Sequence, residues 1–382
     1  MNPNLNNLEN ILQIKTGYTK KEYLYKLEKA GQKRITEIDV LVSGTCDQDC
    51  LHCYIPKNIK NKQFNKNEVT NLIKLLKTNK YLVLPQYTEI FLNNNTLNFF
   101  KDCKDDNIIT NGNYLSKLNN NELKQELNSL KIKKIFISLH IDEKNHNDLT
   151  NNNNWSSTIK LIKKLNNLKY YTGVYAVFTK KSYRNIPSFA KFLINNKIKE
   201  VTFIQCLTTT EKTKNLKLNN NEFKDACKLI AHLKEEIPKN KLIIKTRGPT
   251  GPNFFSSSLY NLQLNKIKSN NFTCRGGKGY CGAGESFFVA VKEKDNLYNI
   301  YPCHMLIRKE LIVGNINLVT NKIKFNPNVI QLIAPYKSKQ DGVCKKCYAW
   351  DYCKGGCLAN NYLNKTNNTY HTRYCYTKSV LK

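Results

Sequence analysis

Eleven of the fourteen cysteines fall into two groups whose spacing is typical of metal sites. The first group is Cys46, Cys50 and Cys53, in the string CDQDCLHCY. The second group lies in the C-terminal part of the chain and consists of Cys274, Cys281, Cys303, Cys344, Cys347, Cys353, Cys357 and Cys375. Three thiolates leave one iron of a [4Fe–4S] cluster without a protein ligand, and eight thiolates fully ligate two more clusters. The spacing therefore predicts a redox enzyme whose chemistry is carried by clusters and a bound cofactor.

Zinc is the alternative metal for both groups. Eight thiolates satisfy two tetrahedral zinc sites as well as they satisfy two clusters, and the first group could be a partial zinc knuckle. An open coordination site on the first cluster would let a substrate or cofactor bind iron directly, which a structural zinc site does not offer. The close spacing of the first three cysteines, directly after a predicted strand, favours the cluster.

The bulk composition is that of a chain with a real core and no membrane span. Of its 382 residues 40% are hydrophobic, and no apolar run approaches the ~20 residues that cross a bilayer. The N-terminal residues lack the basic and apolar regions of a signal peptide. We therefore expect a cytoplasmic protein with no membrane partner, in which thiols stay reduced and dense cysteines bind metal.

The net charge of +32 does not predict a nucleic-acid partner. Only six of the 61 basic residues are arginine, and the lysines are spread along the whole chain among many asparagines. A nucleic-acid surface usually clusters Lys and Arg, with Arg well represented. The alternative interpretation is that the basic surface attracts an acidic peptide.

Strand-like and helix-like segments alternate through the first two thirds of the chain, as in βαβ units. The predicted strands are 37–44, 87–94, 107–112, 133–141, 171–179 and 200–206. Six units are too few for a closed eightfold barrel, so the fold class is α/β with a partial (β/α)6 TIM-like barrel. Ligands of such folds lie at the C-terminal ends of the strands, where the first cysteine group follows strand one.

The pattern also divides the chain into three parts. Residues 1–35 form a polar lead-in, 36–245 the partial barrel, and 246–382 a small cysteine-rich domain after the loop KTRGPTGPNFFSSS. In 246–382 the apolar stretches are short and lie between the cysteines, which is typical of a domain that its metal sites stabilise. The asparagine run at 151–155 is interpreted as a solvated loop.

The first cysteine group resembles the signature of the radical S-adenosylmethionine (radical SAM) enzymes, CxxxCxxC. His52 occupies the position where those enzymes carry an aromatic residue before the third cysteine. The resemblance implies that S-adenosylmethionine binds the open iron of the cluster. One electron from the cluster then cleaves it to methionine and a 5′-deoxyadenosyl radical, which abstracts a hydrogen atom from the substrate.

The resemblance also implies where S-adenosylmethionine is held. We expect contacts from Tyr54 beside the third cysteine and from Ser138 in strand four. Relatives carry a Gly-Gly-Glu segment after strand two, and the predicted strand places Asn93, Asn94, Asn95 and Thr96 there. Asparagine carbonyls can accept a hydrogen bond from the methionine amine, but the stronger charge-assisted contact of a glutamate would be lost.

The second cysteine group resembles the SPASM extension of the same superfamily. The resemblance implies two auxiliary [4Fe–4S] clusters in addition to the radical SAM cluster, so three in all. One cluster would be held by Cys274, Cys281, Cys303 and Cys357, and the other by Cys344, Cys347, Cys353 and Cys375. Fully ligated clusters accept or relay electrons, which favours a net oxidation of the substrate.

The resemblance implies a maturase that forms an oxidative cross-link in a ribosomally made peptide. The expected partners are a precursor peptide, a separate leader-recognition protein, and an electron donor such as flavodoxin or ferredoxin. One alternative is a dehydrogenase of a small molecule or protein side chain, like the sulfatase maturases, although His304 stands where those carry an aspartate. The other is a degenerate, non-catalytic relative. Cys206, at the end of strand six, is a candidate hydrogen donor or substrate contact.

Overall fold

The structure is a computed structural model that describes residues 37–60, 65–93, 97, 107–206, 211–247, 283–284, 287–326, 328–329 and 357–363. Its strands are β1 Glu37–Ser43, β2 Leu82–Tyr87, β3 Asn107–Thr110, β4 Lys134–Ser138, β5 Tyr171–Phe178, β6 Glu200–Gln205, β7 Ile243–Arg247, β8 Phe287–Lys294, β9 Leu297–Tyr301, β10 Gly314–Asn317 and β11 Lys322–Phe325. Its α-helices are α1 Lys57–Lys60, α2 Lys66–Thr78, α3 Asn113–Lys117, α4 Asn120–Ser129, α5 Glu143–Thr150, α6 Trp155–Asn167, α7 Ile186–Asn195, α8 Glu211–Lys214, α9 Asn220–Glu236 and α10 Leu358–Leu363. Among these residues, no helix is both long enough and apolar enough to cross a bilayer.

The described chain forms two compact units, each built around one sheet. The first unit contains residues 1–44, 55–87 and 274–372, and its six strands follow the order β11-β10-β9-β8-β1-β2. Strands β2 and β8 run parallel to β1, whereas β9, β10 and β11 continue from β8 as an antiparallel meander. The core of this sheet includes Phe288 and Phe325, whose rings lie 5.2 Å apart.

The predicted position of strand two is wrong. The prediction was 87–94, but β2 spans Leu82–Tyr87 and is followed by a 3-10 helix at Ile90–Leu92. The run LVLPQY contains Pro85, which argues against a central strand because proline cannot donate to a ladder. Pro85 is tolerated because β2 is the outermost strand of this sheet as described. The apolar residues that resembled a strand instead pack in the 3-10 turn, where Ile90 and Phe91 are buried.

A buried ion pair joins α2 to the β8–β9 hairpin inside the first unit. The carboxylate of Glu68 accepts a hydrogen bond from Lys292 Nζ at 2.6 Å and from the backbone N–H of Asn296 at 2.8 Å. The side chains of Glu68 and Lys292 are only 9% and 11% exposed. Lys292 Nζ also lies 2.8 Å from the exposed carboxylate of Asp295. Removing Glu68 is costly because the lysine keeps only this exposed partner and the N–H of Asn296 loses its acceptor.

We expect Glu68→Ala to lower the free energy of unfolding by about 2–4 kcal/mol, because it removes both acceptors of this pair. The matched control is Glu236→Ala, which removes an exposed i,i+4 contact with His232 and should cost under about 0.5 kcal/mol. Urea denaturation of both variants measures the difference. Equal losses in the two variants would contradict the buried-pair interpretation.

The second unit contains residues 45–54, 88–273 and 373–382, and its sheet has five parallel strands in the order β3-β4-β5-β6-β7. Burial alternates on β3, where Ile108 and Thr110 are buried while Ile109 is half-buried. On β4, β5 and β6 most residues of both faces are buried, which is typical of parallel strands covered on both sides.

Amphipathic helices cover one face of this sheet. Helix α6 buries Leu161 and its neighbours, and Gly112, at the N-terminus of α3, fits close against it. A Cβ at Gly112 would lie 2.9 Å from Leu161 Cδ2. Gly112 also has φ +82°, a left-handed conformation that glycine adopts at little cost. This position lets β3 turn sharply into α3, just beyond Asn111.

The predicted fold class is confirmed, with differences in detail. The predicted strands three to six overlap β3–β6, and β7 is an additional parallel strand that was not predicted. The lead-in at 1–35 lies outside the described residues. The predicted loop KTRGPTGPNFFSSS begins too early, because Lys245, Thr246 and Arg247 belong to β7, and the rest of that loop lies outside the described residues. The division into three domains remains a prediction.

Candidate cluster site

The three cysteines of the first group lie in one loop, Thr45–Tyr54, which we call the cluster loop. Cys46, Cys50 and Cys53 are each half-buried. The backbone N–H of Cys53 donates to the carbonyl of Cys50 at 3.1 Å, and Cys50 Sγ lies 3.2 Å from Oε1 of the buried Gln48. The loop is thus a compact turn that presents all three thiols from a short stretch of chain.

These thiols fit a cluster better than a single ion. Among the described residues, no three Cys, His, Asp or Glu side chains converge as a mononuclear metal would require. In a [4Fe–4S] cluster each thiolate binds a different iron, so convergence on one point is not needed. Burial, reinforced by the nearby carboxylates of Glu89 and Asp47, raises the pKa of Cys46 to about 11. A metal must therefore displace the proton of this thiol.

Glu89 is a site residue that the predictions missed. Its side chain is fully buried two residues after β2 ends. Its carboxylate accepts from the backbone N–H of Asn111 at 2.7 Å, the hydroxyl of Thr110 at 2.8 Å and the N–H of Phe91 at 3.4 Å. Burial raises the pKa of Glu89 to about 7, although these three donors act in the opposite direction.

Glu89 also joins the cluster loop through its backbone. Its N–H donates to the carbonyl of Thr45 at 3.2 Å, and the hydroxyl of Thr88 donates to the same carbonyl. A predicted strand over 87–94 placed this carboxylate inside a strand. Recognising LVLPQY as the strand would have placed Thr88 and Glu89 directly after it, with Tyr87 as its last residue, where the Gly-Gly-Glu segment of radical SAM enzymes is expected.

Asn111 and Asn113 fix the start of the cluster loop. The side-chain amide of Asn111 donates to Asp47 Oδ1 at 2.6 Å, and that of Asn113 donates to Asp47 Oδ2 at 3.1 Å. Asn111 Nδ2 also lies 3.9 Å from Cys46 Sγ. Both asparagines follow β3, so the C-terminal end of that strand holds the residue next to the first cysteine.

Three histidines form a series of ring contacts that begins in the cluster loop with His52. The rings of His52 and His140 are 4.8 Å apart in a T-shaped contact, and those of His140 and His146 are 5.3 Å apart. His140 Nδ1 accepts from the backbone N–H of Val177 at 3.1 Å, which places the ring proton on Nε2. Burial lowers the pKa of His146 to about 4 and that of His140 well below its usual value. Both rings are therefore neutral at pH 7.

The lowered pKa of His146 predicts acid destabilisation. The unfolded state binds the proton below about pH 6.5 and the folded state only near pH 4, so stability falls as pH drops through that window. Between pH 7 and pH 5, the free energy of unfolding of His146→Gln should fall by about 2 kcal/mol less than that of wild type. Urea denaturation of metal-free protein measures this, with the exposed His232→Gln as control. Parallel pH profiles of wild type and His146→Gln would refute the prediction.

The expected S-adenosylmethionine contacts are only partly described. Tyr54 ends the cluster loop and is 36% exposed, and Ser138 is the half-buried last residue of β4. Asn93 follows the 3-10 helix after β2, whereas Asn94, Asn95 and Thr96 lie outside the described residues. The roles of all six residues remain predictions.

Most of the second cysteine group lies outside the described residues. Within them, Cys303 is buried after β9 and precedes the short 3-10 helix that His304 begins, and Cys357 is half-buried directly before α10. The remaining ligands expected for the auxiliary clusters are not described: Cys274, Cys281, Cys344, Cys347, Cys353 and Cys375. Their assignment remains a prediction.

Cys206 lies in the apolar core of the second unit. It is 3% exposed and packs in an apolar cluster with Leu149, Val177 and Leu216, against which Leu51 of the cluster loop also packs. Burial raises the pKa of its thiol to about 12. Burial among these apolar neighbours disfavours the reactive thiolate form.

A cavity of about 470 Å³ lies beside the cluster loop. Its walls include Leu51 from the loop, Asp148 and Leu149 from α5, and Thr179 and Lys181 after β5. The backbone N–H of Leu51 donates to the carbonyl of Leu149 at 2.8 Å, which fixes the loop against this wall. The volume is in the range of small-molecule sites, and the lining carries both charges and amides.

Comparisons with known proteins bear on the fold. No protein-family model matches the chain. A cysteine-type anaerobic sulfatase-maturating enzyme of Clostridium novyi (strain NT) is 24% identical over 239 residues, which are 62% of this chain and 59% of that relative. The chain thus spans about three fifths of the length of this curated relative.

Solved structures share the fold at low identity. SuiB of Streptococcus suis, bound to its precursor peptide SuiA, has a TM-score of 0.61 at 19% identity and covers 92% of this chain and 78% of its own. SuiB has also been solved bound to S-adenosylmethionine. The protein anSMEcpe, bound to AdoMet and the Kp18Cys peptide, has a TM-score of 0.62 at 17% identity. The match covers 90% of this chain and 94% of anSMEcpe. The chain therefore has the partial-barrel fold of the radical SAM enzymes that its first cysteine group resembles.

Proposed function

We propose that this protein is a radical SAM enzyme that modifies a peptide oxidatively. The observation that carries the proposal is the cluster loop, which presents three cysteines from one turn and is held at its start by Glu89 and Asn111, in a fold shared with S-adenosylmethionine-bound proteins. The site needs no acid–base pair of protein residues for this chemistry. The proposed localisation is the cytoplasm, where thiols stay reduced.

Cys46, Cys50 and Cys53 would hold a [4Fe–4S] cluster whose open iron binds S-adenosylmethionine. When both are bound, the cluster and S-adenosylmethionine would supply a 5′-deoxyadenosyl radical that abstracts hydrogen from the substrate. Tyr87, Thr88 and Glu89 would take the place of the Gly-Gly-Glu segment, with Tyr54, Ser138 and the Asn93–Thr96 segment as further contacts. Glu89 accepts three donors, so its main task is to fix the backbone around the methionine amine.

The C-terminal cysteines would hold two auxiliary [4Fe–4S] clusters, for a total of three. Their role would be to accept the electron that remains on the substrate after hydrogen abstraction. Iron near twelve per chain supports this assignment, because each cluster holds four irons. Stoichiometric zinc with about four irons would instead support two zinc sites beside one cluster.

A precursor peptide is the proposed substrate. SuiB is solved with its precursor peptide and anSMEcpe with short peptides, and the cavity beside Leu51 offers amide and charged groups that suit a peptide. A separate leader-recognition protein and a flavodoxin- or ferredoxin-type electron donor are the proposed partners. The sulfatase-type alternative is favoured by the curated relative, which matures sulfatases by its name.

The test is 5′-deoxyadenosine release by anaerobically reconstituted protein with S-adenosylmethionine and a strong reductant. We compare the release in three conditions: with small peptides encoded near the gene, with a cysteine-containing sulfatase peptide, and without peptide. A peptide that loses about two daltons while release rises supports peptide cross-linking. Formylglycine in the sulfatase peptide supports the alternative. No release with any peptide, despite full iron loading, favours a non-catalytic relative.

A further inference from the structure

A chain of hydrogen bonds connects the end of β4 to the cluster loop. The backbone N–H of His140 donates to His146 Nδ1 at 3.3 Å, and His146 Nε2 lies 3.0 Å from Oδ1 of Asn154. Asn154 Nδ2 donates to Asn113 Oδ1 at 2.7 Å, and Asn113 Nδ2 donates to Asp47 Oδ2 at 3.1 Å. Its links join residues far apart in the sequence, so the chain exists only in the folded protein.

The two ends of this chain fix its direction. A backbone N–H can only donate, and the carboxylate of Asp47 can only accept. His146 must therefore carry its proton on Nε2, and the amides of Asn154 and Asn113 must both point their Nδ2 toward Asp47. Each link is satisfied in one orientation, and aligned hydrogen bonds of this kind strengthen one another.

The middle of the chain is buried, so a reversed link there has no water to compensate it. His146 is fully buried and Asn154 is 5% exposed. The interpretation of 151–155 as a solvated loop is therefore wrong for Asn154, although its neighbour Asn153 is exposed. The carbonyl of Asn154 also accepts the N–H of Thr158 in α6 at 2.9 Å, which holds the residue in place.

The last link acts on the residue next to a cysteine ligand. Asp47 is the last residue of this chain of hydrogen bonds, and it directly follows Cys46 in the sequence. The other oxygen of its carboxylate accepts from the side-chain amide of Asn111 at 2.6 Å. We propose that this directed chain positions Cys46 for its cluster, with Asn154 as a positioning residue. The proposal rests on the proposed function only in naming a cluster as the group that Cys46 binds.

The test reverses the direction of the two hydrogen bonds that the side chain of Asn113 makes. Asp47→Asn puts a donor where Asn113 already donates, and Asn154→Asp puts an acceptor against Asn113 Oδ1. In the double variant Asn113 can turn over. It then accepts from the new amide at position 47 and donates to the new carboxylate at position 154, which still accepts from His146. Every bond is restored, and the net charge equals that of wild type.

We expect Asn154→Asp to lose iron to a chelator roughly tenfold faster than wild type, since one mismatched link at a buried residue costs about that factor. Asp47→Asn should lose iron faster than wild type by a smaller factor, because its link to Asn113 is exposed. The EPR signal that responds to S-adenosylmethionine should broaden in the single variants. The double variant should recover both properties to within about twofold. Asn153→Asp, the same change at the exposed neighbour, should behave as wild type.

The melting temperatures of wild type and the four variants separate the two proposals. A wild type that binds no iron at the first site would refute the proposed function, yet a double variant that melts above Asn154→Asp would still support the directed chain. A double variant that is no better than the worse single variant, in iron retention and in melting temperature, overturns the proposal. Circular dichroism establishes that each variant is folded.

Discussion

Cys46→Ala protein is expected to bind about four fewer irons per chain than wild type and to release no 5′-deoxyadenosine above background. The reason is that a [4Fe–4S] cluster with two thiolates left has two irons without protein ligands. The thiol of Cys46 has a pKa raised to about 11, so in metal-free protein it is protonated and adds little charge to the loop. The fold should therefore persist while the cluster is lost.

The control for this variant is Cys227→Ala. Cys227 is 2% exposed in α9 and packs in the core of the second unit, far along the chain from the cluster loop. Its replacement should leave iron content and 5′-deoxyadenosine release within about twofold of wild type and cost about 1 kcal/mol of stability. Iron content, anaerobic EPR and product chromatography are the measurements. Full iron in Cys46→Ala would refute the ligand assignment.

Glu89→Ala is expected to lower the free energy of unfolding by about 3–5 kcal/mol and to abolish the response of the cluster to S-adenosylmethionine. The replacement leaves the N–H of Asn111, the hydroxyl of Thr110 and the N–H of Phe91 without their acceptor at a fully buried position. Each unsatisfied buried donor costs about 1–3 kcal/mol. Water can enter the space of the missing side chain and recover part of this loss.

Glu89→Gln separates the hydrogen bonds from the charge. Its amide oxygen can still accept from the N–H of Asn111, and its NH₂ can donate to the hydroxyl of Thr110. The N–H of Phe91 loses its acceptor, but that contact is long at 3.4 Å, so the expected loss of stability is about 1–2 kcal/mol. If the carboxylate mainly holds backbone, this variant keeps most of its affinity for S-adenosylmethionine. A loss as large as that of Glu89→Ala would show that the charge itself is needed. Glu122→Gln, in the exposed capping box of α4, is the control.

The sequence by itself determined the alternation of strands and helices and predicted the metal chemistry. Three cysteines within eight residues are recognisable as a candidate ligand set without any tertiary structure, because a cluster needs only short spacing and a turn. Strands β3–β6 were predicted near their observed positions, since each is a short run of apolar and β-branched residues between helical periods. These features depend on neighbours in the sequence.

Tertiary structure decided the residues that hold the cluster loop. Glu89 became identifiable only when β2 was found to end at Tyr87, and its partners lie 21 and 22 residues further along the chain. Asn154 is one of several consecutive asparagines, and nothing local distinguishes it from the exposed Asn153. Burial and the contact with Asn113, 41 residues away, make the difference. A buried amide must find its partners across the fold, and that pairing is set by packing and by no pattern in the sequence.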